Sequence, residues 1–144
     1  MTKGEKAKNL FLSGCNCAQA VSTAFSDEIG IDEEILKKLM IGFGGGMGRM
    51  REVCGAVSAM TFIIGAYYDD DRAGIYARVQ ELCGRFKEEM GSVVCRELLG
   101  LKSEGPSSPV PEKRTSDYYK KRPCPEIVSF AADLLDSYLK ENLK

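Results

Sequence analysis

Between Glu52 and Asp69 runs VCGAVSAMTFIIGAYY, sixteen residues without a charge. A helix from about Arg51 to Tyr68 that is apolar almost all round belongs at the centre of a fold, because every face needs a partner. It is too short, and too rich in glycine and alanine, to read as a membrane span. The rest of the chain supplies helical partners. Ala7, Leu10 and Phe11 mark a first short helix, ended by Ser13 and Gly14. Val21, Ala24, Phe25 and Ile29 form one stripe closed by Gly30. Asp32 caps a third helix with Ile35, Leu36, Leu39 and Met40 inward. Ile75, Val79, Leu82, Cys83, Phe86 and Met90 make a long amphipathic helix stopped by Gly91. SVVCRELLG is a short helix with Ser92 as its cap. A last helix starts at Pro125, with Ile127, Val128, Ala131, Leu134, Leu135 and Tyr138 inward. Residues 100–123 are rich in proline, serine, glycine and charge and read as one long loop. No segment alternates as a strand does. The expectation is an all-α fold: a compact single-domain bundle spanning residues 1–144, with short extra helices and a long loop before the C-terminal helix.

The charge balance narrows the partners. The formal net charge is -1, with no basic block, so nucleic acid and an anionic membrane surface are not expected partners. The start, MTKGEKAKNLFLSG, lacks the apolar run of a secretory signal, which predicts a cytoplasmic location. The chain has six cysteines and no histidine. The missing histidine removes the usual base of serine and cysteine hydrolases. It also excludes Cys-His zinc sites and histidine-ligated haem. In a cytosolic setting, disulfides are catalytic or sensing rather than structural. Thiolates are therefore the candidates to carry chemistry.

Four cysteines fall at predicted helix starts: Cys17 after Asn16, Cys54 after a glycine-rich loop, Cys95 after Ser92, and Cys124 just ahead of Pro125. Unpaired N–H groups at a helix start favour an anion and lower a thiol's pKa. Arg49 and Arg51 near Cys54, Arg96 beside Cys95 and Arg122 near Cys124 push the same way. Cys83 sits mid-helix on a core stripe and reads as a small hydrophobe. Cys15, two residues from Cys17, is a resolving thiol, a shared ligand or neither.

GFGGGMGRMREVCGA places five glycines and two arginines ahead of Cys54. Successive glycines turn backbone N–H groups toward one point and make an anion-binding concavity. Gly44, Gly45, Gly46 and Arg49 are therefore candidate cofactor-binding residues, with Gly55 leaving space beside the Cys54 sulfur. The alternative is a plain interhelical turn. No strand precedes the loop and no Gly-Lys-Ser/Thr follows, so a nucleotide site is not expected.

CGAVSA at residues 54–59 resembles the CGAxxG signature of the redox-active protein family named for its C, GCAxxG, C, C arrangement. NCAQAV around Cys17, GFGGGMGRMREVCGA, VVCRELLG at Cys95 and CPEIVSFAADLL at Cys124 resemble the family's pattern in order. Ala59 stands where the signature has its final glycine. The resemblance implies redox activity carried by Cys17, Cys54, Cys95 and Cys124. A related domain at the front of split-Soret cytochromes, for which an iron–sulfur cluster has been proposed, adds weight to cluster ligation. Two versions stay open: an iron–sulfur cluster on the four thiols for electron transfer, or a dithiol that cycles with a disulfide. The spacings of the four, 37, 41 and 29 residues, match no compact ferredoxin run, so cluster ligands would have to converge from separate helix starts. Structural zinc ranks lower, because its cysteines usually come in close pairs and only Cys15 and Cys17 are close here. A helical interaction module is the remaining class. The expected partner is a redox protein, and a homodimer is left open.

Overall fold

The computed structural model describes residues 1–144. Nine α-helices and one short 3-10 helix (Ile41–Phe43) make up the fold, and its one β contact is an isolated antiparallel bridge between Val53 and Val94. The α-helices are α1 (Lys3–Leu12), α2 (Cys17–Thr23), α3 (Ser26–Ile29), α4 (Glu33–Met40), α5 (Gly55–Tyr67), α6 (Arg72–Met90), α7 (Cys95–Leu98), α8 (Ser116–Lys121) and α9 (Cys124–Glu141). The all-α bundle is as expected.

Helix α5 is central. Ala56, Val57, Ala59, Met60, Ile63 and Ile64 are buried on it, while Thr61, Gly65 and Ala66 reach the surface, so it is wrapped on most sides rather than all. It packs on α2, α6 and α9, and α1 lies along α9. Small residues allow the closest of these approaches. A Cβ on Gly55 would lie 2.9 Å from the Phe43 carbonyl and 3.2 Å from the Ala18 nitrogen. Helix α6 lies outermost: only Leu82 and Phe86 of its stripe are fully buried.

Three boundaries differ from expectation. The stripe from Val21 to Ile29 is broken at Ala24–Phe25 into α2 and α3, although Gly30 closes it in the left-handed region as expected. Residues 51–54 do not join α5. They pair instead with 93–96, where Cys54 donates its N–H to Val93 (2.8 Å), Cys95 to Glu52 (2.6 Å) and Arg96 to Arg51 (3.2 Å). Tertiary pairing outcompetes helix propensity here. The long loop also contains α8, whose start is capped by the Thr115 hydroxyl accepting from the Tyr118 N–H.

Candidate functional site

The residues after α4 make an unusual backbone. Gly45 and Gly46 lie at (67°, 26°) and (70°, 53°), and Met47, Gly48 and Arg49 continue at φ 66°, 57° and 63°. Five consecutive residues thus form a left-handed turn, which costs an L-residue about 1–2 kcal/mol at each position. Its N–H groups do not fan out toward a guest throughout. Those of Gly48, Arg49, Arg51 and Glu52 donate back to the carbonyls of Gly42, Gly44, Gly45 and Gly46, and that of Met50 to Met47. The turn works by folding tightly. It sets Gly46 against Cys95 and Gly44 against Asn16, and aims Arg49 and Arg51 inward.

Around this turn lies a cavity of about 350 Å³. Cys17, Cys54, Cys95 and Cys124 all line it, as do Gly44, Gly45, Gly46, Arg49 and Gly55. Each sulfur arrives by its own route. Asn16 caps α2 through a reciprocal pair with Gln19, and its amide donates to the Ile41 carbonyl at 2.9 Å, which fixes Cys17 beside the glycine turn. The 51–54 and 93–96 pairing holds Cys54 beside Cys95. Cys124 is the first residue of α9, with Pro123 at the cap and Pro125 inside, so the helix starts one residue earlier than expected. All six cysteines are free thiols. Cys83 stays outside the cavity on α6, and Cys15 lies outside it too.

The long segment before α9 forms the cavity's other wall through Pro109, Pro111, Glu112, Arg114, Tyr118 and Arg122. Arginines pin it. Arg49 donates to the Ser108 carbonyl (2.6 Å) and Arg51 to the Ser107 hydroxyl (2.9 Å). Arg96 donates to the carbonyls of Ser103 and Gly105, and Arg114 to those of Phe11 and Cys15. Four guanidiniums, those of Arg49, Arg51, Arg114 and Arg122, face the cavity against a single carboxylate, Glu112, which pairs with Arg122 at 2.6 Å and Arg49 at 3.7 Å.

The thiols do not share the bias toward thiolate that helix starts suggest. Burial pushes Cys54 up to about 12, even though the N–H groups of Ala56 and Val57 pull it down. Burial also raises Cys95, against the Arg51 guanidinium 3.6 Å from its sulfur. Cys17 is raised well above the usual thiol range by its hydrogen bond to Cys124 and by burial. Cys124 alone is lowered, first by that same bond from Cys17 and then by Arg122, Arg51 and Arg114, which together outweigh its burial. Desolvation outweighs the helix terminus. Moreover, α2 and α7 have seven and four residues, too few to carry much dipole.

This has a measurable consequence. An unfolded Cys54 ionises near 9.0 and the folded one near 12. Below the first value both states keep the proton; between the two, only the unfolded state loses it. Stability of the metal-free protein is therefore expected to fall as pH rises from about 9 toward 12, by about 4 kcal/mol over the full span. Melting curves across that window check it, and Cys54→Ala should make the fall shallower, leaving the part that Cys17 and Cys95 contribute.

No three Cys, Asp or Glu side chains converge tightly enough to hold one metal ion. The donor set that remains is four sulfurs spread around one basic cavity, and Cys17, Cys54, Cys95 and Cys124 are the residues able to hold a polynuclear, sulfur-ligated group there. Arg114, which pins the outer wall to Phe11 and Cys15, carries no motif that sequence reading could single out.

An all-α chain that gathers four thiols from four helix starts into one arginine-lined cavity is a cysteine-centred protein by construction. The chain belongs to the family described as "Putative redox-active protein (C_GCAxxG_C_C)", whose model matches residues 15–138. No curated protein and no solved structure matches it significantly. No helix is long and apolar enough to cross a membrane.

Proposed function

We propose that Cys17, Cys54, Cys95 and Cys124 hold an iron–sulfur cluster and that the protein transfers electrons to and from a partner protein. The observation that carries the reading is the common cavity: all four sulfurs line about 350 Å³ of space. Thiols that only form disulfides need no such volume beside them, whereas ligand pockets begin at about 300 Å³. Charge supports the same reading. Four thiolates around a doubly positive cluster core leave a net of about −2, and the cavity sets four guanidiniums against one carboxylate. The ligands of one tetrahedral zinc ion sit close together at Zn–S of about 2.3 Å. No three Cys, Asp or Glu side chains here converge that tightly.

When bound, the cluster supplies reversible one-electron chemistry. The chain's own part is to hold four sulfurs, to keep water out with the 100–123 wall, and to offset negative charge with arginine. The protein would work in a reducing, cytoplasmic setting, where its thiols stay free.

Anaerobic loading with ferrous iron and sulfide tests this. The expected result is a brown protein with stoichiometric iron and acid-labile sulfide and a paramagnetic signal on reduction. Cys17→Ser should lose it.

One pair favours a second reading. Cys17 and Cys124 both line the cavity, and each shifts the other's ionisation, with Cys17 raised and Cys124 biased toward thiolate. Exchange with a partner disulfide would join the two sulfurs and leave the partner as two thiols. Mild oxidation with oxidised glutathione is then expected to remove two thiols per chain, with peptide mapping placing the bond between Cys17 and Cys124. A colourless protein that behaves this way would replace the cluster reading.

A further inference from the structure

Among buried residues, Arg51 is the only one that carries a charge; it is 5% exposed. It belongs to none of the chain's ion pairs. Its guanidinium reaches only the Ser107 hydroxyl, 2.9 Å from Nε, and the Cys95 sulfur, 3.6 Å from Nη1. Its backbone is held at φ 63°, a region that costs a residue with a Cβ. The other cavity arginines are matched differently. Arg49 and Arg122 share Glu112, and Arg114 donates to two carbonyls while stacking on Phe11 at 4.0 Å.

A buried cation without a counter-ion is costly, and strongly basic side chains are almost never buried unpaired. Arg51 faces the cavity, so its missing anion belongs there. We infer that Arg51 is the built-in counter-ion of an anionic, sulfur-ligated guest, set beside Cys95 and tied through Ser107 to the segment that covers the cavity. The inference rests on the cluster reading for the guest's identity, not for the missing charge. Arg51 is thus a positioning residue: it makes the empty protein less stable than it could be and the loaded one harder to unload.

The test compares wild type with Arg51→Met and Arg51→Lys, each as the full chain. In the reduced, metal-free state, Arg51→Met is expected to melt at or above wild type, because an unmatched charge has been removed. After anaerobic loading with ferrous iron and sulfide, the same variant should release iron to a chelator about tenfold faster, the scale of one lost charge-assisted contact. Arg51→Lys, which keeps the charge, should recover most of that retention. A metal-free Arg51→Met that melts well below wild type, or that does not fold, would mean that Ser107 and Cys95 already satisfy the guanidinium, and would overturn the inference. So would a loaded variant that keeps iron as long as wild type. If wild type takes up no iron and sulfide, the cluster reading fails by itself, and the metal-free melting comparison still decides whether Arg51 lacks a counter-ion.

Discussion

Serine in place of Cys54 is expected to give a folded chain that retains no iron and no sulfide. Cys54 is 5% exposed and caps the central helix at its N-terminal end. A hydroxyl fits that space, and burying it costs about 1–3 kcal/mol unless it finds a partner, which a domain of this size can absorb. Ligation is another matter. Clusters of this kind are held by thiolates, and a serine hydroxyl stays protonated where even the thiol is pushed up to about 12. Iron and sulfide analysis beside a melting curve separates the two effects. Full retention would remove Cys54 from the centre.

Alanine at Gly46 is expected to damage both fold and site. Its Cβ would lie 2.6 Å from the Cys95 Cβ, 2.7 Å from the Glu52 nitrogen and 2.9 Å from the Arg51 Cα. The residue is also at φ 70°. Left-handed strain of about 1–2 kcal/mol adds to an overpacking cost of about 1–3 kcal/mol. Because two of those neighbours are backbone atoms on the paired 51–54 segment, relief must move the Cys54–Cys95 pairing itself. Loss of about 2–5 kcal/mol in denaturant unfolding, with loading impaired, is the expected outcome. Gly48→Ala is the control. It has a similar backbone, φ 57°, but nothing within 4 Å of the added methyl, so it should pay only the conformational term.

These two positions mark what could be read from the chain and what could not. The four sulfurs were identifiable because each sits at a helix boundary marked by a cap, a glycine or a proline. That they share one cavity depends on the 51–54 to 93–96 pairing. No strand pattern announces it, since it is one bridge long. The glycine cluster announced an unusual backbone but not its form. The left-handed turn runs through Met47 and Arg49 as well as glycines, and ordinary residues carry no sign of positive φ. Thiol acidity differs from the sequence expectation for a physical reason: helix ends and arginines are visible in sequence, whereas the desolvation that outweighs them at Cys54 and Cys95 is set by packing. Arg51 is the sharpest case. It lies three residues from Cys54 in sequence, yet its side chain bonds Cys95.

The most direct measurement is X-ray absorption at the iron edge of the anaerobically loaded wild-type protein. The account predicts iron ligated by sulfur alone, with a short iron–iron vector, and loss of that vector in Cys17→Ser, Cys54→Ser, Cys95→Ser or Cys124→Ser. Iron bound through oxygen or nitrogen, a spectrum without an iron–iron vector, or one unchanged by those four substitutions would contradict it.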